Sequence, residues 1–203
     1  MKLIMNIAKH LMLIPSPLFL FLLSYRYGPG PYKVEFTVIF NGERKYFAVE
    51  TAPNNLMPHA VYTFMQLVES GTMIGKEFTF SSDQPGRVMT ADNIELVSSK
   101  NDNNKIKTKD LLYPEYNDNY PHKQGTLGFS GINGSNFYIN IVDNREDIHH
   151  GGLTEDQKLM YHHTIDPCFA NVVHGIDIVD LIVQRIHQKD LHCVIQNVEI
   201  VQN

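Results

Sequence analysis

Two histidine pairs are the residues whose types best suit metal binding. They are His149-His150 and His162-His163. Three carboxylates lie close to them in the sequence: Asp147, Glu155 and Asp156. Clustered histidines and carboxylates can bind zinc or another transition metal. However, the pairs have no tight ligand spacing on a predicted helix face, and two glycines lie between them. We therefore predict an exposed, mildly pH-sensitive loop without metal or cofactor, with a zinc site as the minor alternative.

The overall charge excludes one class of partner. The 203 residues include 17 lysines and arginines against 22 aspartates and glutamates, which gives a formal net charge of -5. No run of basic residues forms the positive patch that binding to a phosphate backbone requires. We predict no interaction with nucleic acid.

The two cysteines, Cys168 and Cys193, both lie in apolar, strand-like runs. They are predicted to be buried and to behave as small hydrophobic residues. A single disulfide is the alternative, provided that the chain folds in an oxidising compartment and the two strands are neighbours.

The N-terminal segment is the most apolar part of the chain. Residues 11–23 are predominantly hydrophobic, with Lys2 and Lys9 before them and Arg26 after them. A membrane-spanning helix needs about 20 residues, a length that the segment reaches when it is extended back to residue 3. Small residues suited to signal cleavage are missing after it. We predict a membrane anchor over residues 3–25, with the rest of the chain translocated into an endomembrane lumen or an organelle. Secretion after signal cleavage is the alternative.

The remaining sequence predicts many short strands and two helices. Residues 34–40 alternate with the period of a strand, and Asn41-Gly42 predicts a hairpin turn back through residues 45–50. Helices are predicted from Pro58 to Gly71 and around Val179–Ile186, and residues 98–109 are predicted to form a loop. Further strands are expected near residues 77–80, 87–90, 94–97, 125–130, 136–142, 168–173 and 192–201. This pattern predicts a mainly β fold, a closed antiparallel barrel with helical caps. The domain occupies residues 32–203, after the N-terminal segment (1–27) and a Gly/Pro linker (28–31).

Several short motifs occur in an order that one family shares. They are Glu50-Thr-Ala-Pro53 with the helix end Leu67-Val-Glu-Ser-Gly71, then Gly125-Thr-Leu127, Asn133-Gly-Ser-Asn-Phe-Tyr138 and the run from Asp166 to Asp180. Over residues 32–201 the chain resembles the cyclophilins, which are peptidyl-prolyl isomerases. The resemblance implies an eight-stranded barrel capped by two α-helices. It also implies a groove on one face that holds an extended, proline-containing peptide.

The sequence departs from the cyclophilins where that family carries out catalysis. The family's catalytic Arg falls on Phe80, and the preceding His falls on Thr79. If Asp92 sets the register, a groove Gln becomes Met89, and a pocket His falls on Asp166. In the family the Arg donates hydrogen bonds to the twisting amide, and Phe80 has no donor. The resemblance therefore implies no catalytic residue at these positions and an isomerase activity close to background.

A peptide groove is nevertheless expected near the motif that ends at Tyr138. Its candidate residues are Arg87, Asn133, Gly134, Asn136 and Tyr138, with Phe80 and Met89 opposite. Phe137 is predicted to pack inside the barrel, because neighbours on a strand face opposite ways. Arg87 either faces solvent, which exposure statistics favour, or swings into the groove and restores activity. Residues 133–135 also form a glycosylation sequon, which is the less favoured interpretation of the turn.

These patterns lead to one functional hypothesis and two alternatives. The chain is expected to be a membrane-anchored, catalytically degenerate cyclophilin-like domain that binds a protein or an extended proline-containing peptide. It could equally serve as an accessory subunit of a larger membrane complex. The first alternative is an active or weakly active isomerase that assists protein folding. The second is a metal-dependent enzyme that uses the histidine loop.

Overall fold

The computed structural model describes residues 21, 24–80, 87–92, 94, 96–97, 107–108, 115, 117–129, 135–145, 168–186 and 191–201. The helices of the barrel domain are α1 (Pro58–Ser70) and α2 (Ile176–Ile186), and residues 24–27 before it are helical as well. The strands are β1 (Lys33–Phe40), β2 (Glu43–Thr51), β3 (Glu77–Phe80), β4 (Val88–Ala91), β5 (Leu96–Val97), β6 (Lys107–Thr108), β7 (Thr126–Phe129), β8 (Phe137–Asn140), β9 (Cys168–His174) and β10 (Cys193–Val201). Eight of these strands close into a barrel in the order β1-β10-β3-β4-β8-β7-β9-β2, in which each described pair is antiparallel. The predicted eight-stranded barrel with two helices is confirmed.

The first hairpin forms as its alternation predicts. Val34, Phe36 and Val38 point into the barrel and are fully buried. Asn41 and Gly42 both have positive φ, at 52° and 76°. Two such residues make the turn whose twist matches that of the flanking strands, which is why Asn-Gly is favoured there. The turn fixes the register of β2 against β1 and so decides which residues enter the core.

Helix α1 packs its apolar face against the core, and local chemistry sets its two ends. Pro58 stands at the start, where the missing N–H loses no helical bond. Gly71 ends the helix in the left-handed conformation at φ 66°. The carboxylate of Glu115 accepts hydrogen bonds from the backbone N–H groups of His59, at 3.0 Å, and Ala60, at 2.9 Å. A residue far away in the sequence therefore satisfies the first turn of α1.

The core is built largely from phenylalanine rings. Phe36 stacks on Phe47 with ring centroids 4.8 Å apart, and Phe78 and Phe137 lie within 6.0 Å of this pair. Phe64 of α1 meets the same cluster through Phe137 at 6.3 Å. Aromatic pairs at such distances contribute beyond the area that they bury. The placement of Phe137 inside the barrel is thus as predicted.

Both cysteines are buried and neither forms a disulfide, so the prediction of two buried thiols is confirmed and the disulfide alternative is not. Their strands explain this, since β9 lies between β7 and β2 whereas β10 lies between β1 and β3. The prediction of a loop over residues 98–109 is wrong at one point. Strand β6 pairs with β5 in a separate two-stranded sheet, and two residues are too few to give a periodic pattern.

In the part of the chain that the structure describes, no helix is both long and apolar enough to cross a membrane. The anchor predicted over residues 3–25 falls mostly outside the described residues.

Candidate functional site

One row of residues runs across the outer face of the barrel, the strand face that points away from the core. Strand pairing aligns Thr79 of β3 with Thr90 of β4, Thr90 with Tyr138 of β8, and Tyr138 with Gly128 of β7. We call these four residues the outer row. The adjacent positions face inward and are buried in the core: Phe78, Ala91, Phe137 and Phe129. The alternation of strand residues thus separates a packed interior from a chemically distinct exterior.

The threonine end of the outer row forms a small polar cluster. The hydroxyl oxygens of Thr79 and Thr90 lie 3.0 Å apart, and the Thr90 hydroxyl donates to Asp92 Oδ2 at 3.1 Å. The Thr79 hydroxyl lies 3.5 Å from the same carboxylate oxygen. Thr79 and Asp92 are exposed. This end can accept hydrogen bonds and offer weak hydroxyl donors, and its formal charge is negative.

The other end of the outer row is buried. The ring of Tyr138 lies directly over Gly128, where an added Cβ would stand 2.6 Å from the phenol carbon and oxygen. The Tyr138 hydroxyl is 2.9 Å from Nε2 of His122, a fully buried histidine whose ring stacks on the phenol at 6.2 Å. Buried polar groups are nearly always hydrogen-bonded, and the hydrogen bond between His122 and Tyr138 holds both rings in a fixed position.

A second polar network lies beside Tyr138 and reaches Arg87. Asn140 donates to Thr126 Oγ1 at 2.8 Å and accepts from Asn144 Nδ2 at 2.8 Å. Asn144 also donates to the backbone oxygen of Arg87 at 3.1 Å. In return, the Arg87 guanidinium donates to Asn144 Oδ1 at 3.4 Å. The network ties the start of β4 to the segment that follows β8.

The model of one protein family, described as cyclophilin type peptidyl-prolyl cis-trans isomerase/CLD, matches residues 44–202. The chain belongs to the cyclophilin family. No protein in a curated collection matches its sequence. The match spans most of the chain and covers β2 to β10, so the barrel and its outer row are those of a cyclophilin domain.

Two of the predicted groove residues are buried in this cyclophilin barrel. Met89 was expected to line the groove, and this prediction is wrong because Met89 is fully buried in the core. The β4 residues that lie on the same face as Tyr138 are Val88 and Thr90. Tyr138 does lie on the predicted face, but it is buried rather than part of an accessible surface.

The other predicted positions have several different outcomes. Arg87 is exposed, and its guanidinium contacts Asn144 as described above. Asn136 is half-buried, and its side-chain oxygen accepts from the backbone N–H of Ile94 at 3.1 Å, which fixes the segment after β4. Phe80 pairs with Met89 in the strand register. The remaining candidates lie outside the described residues: Asn133, Gly134, Asp166, His149, His150, His162 and His163.

No group of three histidine, cysteine or acidic side chains suited to a metal occurs among the residues described. Sequence reasoning missed His122, Gly128 and Thr90 as members of this region. The period of two did contain a clue, since it places Gly128 on the face opposite Leu127 and Phe129. A glycine at such a position often indicates a close approach of another group, which is here the Tyr138 ring.

Proposed function

We propose that this cyclophilin is a membrane-anchored, catalytically degenerate domain that binds protein segments, or an accessory subunit of a membrane complex. One observation carries the proposal. The β3 residue of the outer row is the exposed Thr79, next to Thr90 and Asp92, and the adjacent residue is Phe80. Neither Thr79 nor Phe80 has a cationic side chain that could donate to a twisting amide.

Rotation of a prolyl peptide bond is accelerated when a hydrogen-bond donor stabilises the twisted amide. Amide resonance sets a barrier of about 18–20 kcal/mol to rotation of the peptide bond. A preorganised donor aimed at charge that develops in a transition state is typically worth about 3–4 kcal/mol. The Thr90 hydroxyl donates to Asp92, and the carboxylate of Asp92 is an acceptor. This cluster supports recognition of a peptide N–H better than it supports stabilisation of a twisted amide.

Two measurements on the full chain test the proposal. The cis–trans exchange rate of a proline-containing peptide, measured by NMR, is expected to stay at its uncatalysed value. Anisotropy of a fluorescent extended peptide with the same sequence is expected to rise to saturation. Binding without accelerated exchange supports a binding module, whereas exchange at rates typical of a cyclophilin refutes degeneracy.

Two variants identify the missing group. Thr79→Arg places a guanidinium in the outer row, one residue before the position on which the family's Arg falls, and is expected to increase exchange by at most about 10²- to 10³-fold, the equivalent of one donor. Arg87→Ala addresses the alternative of an active isomerase. If the unmodified chain accelerates exchange and Arg87→Ala abolishes that acceleration, Arg87 supplies the donor and the proposal is wrong.

A further inference from the structure

The residues that follow the apolar N-terminal segment pack tightly against the barrel. The Tyr27 hydroxyl donates to Glu69 Oε2 at 2.8 Å, and Glu69 lies in the last turn of α1. The Tyr27 ring meets the edge of Tyr62 at 6.4 Å and that of Tyr32 at 6.2 Å. Arg26 forms an ion pair with the same Glu69 carboxylate at 2.6 Å. Two consecutive residues are therefore held on one helix.

A second set of contacts holds the short stretch between Tyr27 and β1. The Tyr32 hydroxyl donates to the backbone oxygen of Gly28 at 2.7 Å and accepts from Asn54 Nδ2 at 2.8 Å. Asn54 Nδ2 also reaches Ser24 Oγ at 3.3 Å. A Cβ at Gly30 would clash with the Asn54 side chain. We call residues 24–32 the clamp, because contacts on both sides fix its path.

Two large aromatic side chains project from the start of the clamp into solvent. Phe21 is 62% exposed and Tyr25 is 81% exposed. Their rings stack with centroids 5.9 Å apart, so they present one continuous aromatic surface. They occur where the apolar run of residues 11–23 meets the polar domain. Aromatic residues at such a junction are enriched at the headgroup level of membranes.

We infer that the Phe21–Tyr25 pair lies in the headgroup region of a lipid bilayer and that the clamp holds this pair in one fixed orientation relative to the barrel. The inference rests on the membrane anchoring proposed above. Tyr27 is two residues beyond Tyr25, or about 3 Å along a helix axis. The C-terminal end of α1, which binds Tyr27 through Glu69, therefore faces the membrane surface. The aromatic surface is expected to contact the lipid interface, because the apolar run of residues 11–23 includes Phe21 and ends two residues before Tyr25.

The depth of Tyr25 can be measured directly because the chain contains no tryptophan. Tyr25→Trp gives the full chain a single tryptophan, whose fluorescence is measured after reconstitution in phosphatidylcholine vesicles that contain lipids brominated at a chosen depth. We expect the strongest quenching from bromine nearest the headgroups. Tyr46→Trp is the matched control, since Tyr46 is an exposed tyrosine on β2 close to the hairpin turn, and it should not be quenched. Absence of quenching at position 25 overturns the anchoring itself.

A second measurement tests the fixed orientation separately. Ser70→Cys provides an exposed labelling site beside Glu69, and both native cysteines are buried. Time-resolved energy transfer from this label to headgroup-labelled lipid should give a narrow distance distribution. Tyr27→Ala should broaden it, Tyr27→Phe should broaden it less, and the control Tyr46→Ala should leave it unchanged. If Tyr25→Trp is quenched but the distribution is equally broad with and without the clamp residues, anchoring stands and the fixed orientation is wrong.

Discussion

A methyl group added at Gly128 tests the packing of the outer row. An alanine Cβ would lie 2.6 Å from the phenol carbon and oxygen of Tyr138 and 3.1 Å from the Cys168 sulfur. Gly128 is not in the left-handed region of φ, so alanine introduces no backbone strain. The destabilising part of the effect of Gly128→Ala is therefore expected to come mainly from displacement of the Tyr138 ring.

The magnitude follows from three contributions. Overpacking a filled site costs about 1–3 kcal/mol. Movement of the phenol also breaks the 2.9 Å hydrogen bond to His122, which contributes about 1 kcal/mol. Against these, alanine reduces the entropy of the unfolded chain and returns about 0.4–1 kcal/mol. Gly128→Ala should therefore lower the free energy of unfolding by about 1–3 kcal/mol.

Urea denaturation of the full chain in a mild non-ionic detergent measures this difference. The two free energies of unfolding can be compared if the slope of free energy against urea concentration is unchanged. The decisive control is the double-mutant cycle with Tyr138→Leu, which removes the atoms that clash. In that background Gly128→Ala should be nearly neutral, which gives a coupling energy of about 1–3 kcal/mol. In the Tyr138→Phe background the clash with the ring persists. Equal destabilisation by Gly128→Ala in the native and Tyr138→Leu backgrounds would refute the steric reasoning.

Three further predictions concern buried polar groups. Glu115→Ala leaves the N–H groups of His59 and Ala60 without their acceptor and should lower the free energy of unfolding by about 1–2 kcal/mol, as measured by urea denaturation. Glu115→Gln should have a stability closer to that of the native chain. Burial raises the pKa of Glu115 above its ordinary 4.5 even though these two N–H groups act to lower it. The part of the stability that depends on protonation of Glu115 is therefore present below pH 4.5 and lost as the pH rises through the higher folded pKa, and the slope of stability against pH should flatten in Glu115→Gln. Burial also raises the pKa of the Cys193 thiol to about 12. Neither this thiol nor the buried Cys168 should therefore react with Ellman's reagent at pH 8 until the chain is unfolded. Rapid reaction of the native chain would contradict the structure.

The fold was predictable because its determinants are local or repeat along the chain. The alternation of Val34, Phe36 and Val38 decides which face of β1 is buried, and Asn41-Gly42 decides where the strand turns. Pro58 and Gly71 likewise mark the ends of α1 through their own backbone preferences. Each of these signals acts over a few residues, so a single sequence contains it in full.

The candidate site was less predictable because it depends on contacts between distant residues. Met89 was placed on the wrong face because its assignment depended on the register that Asp92 sets against the family, and an error of one position in a register reverses the face of a strand residue. Nothing near His122 in the sequence indicates that its partner is the hydroxyl of Tyr138. The contacts of Tyr27 with Glu69 likewise join residues whose separation no periodic pattern encodes.

The closure of the barrel has a consequence for synthesis. Strand β10, formed by residues 193–201, lies between β1 and β3, which are made well before it. Both earlier strands therefore keep an unpaired edge until β10 has been made. Exposed strand edges promote aggregation, and pairing between strands far apart in the sequence is slow because a large loop must close first. Shielding of these two edges during synthesis is therefore expected to reduce aggregation of the nascent chain.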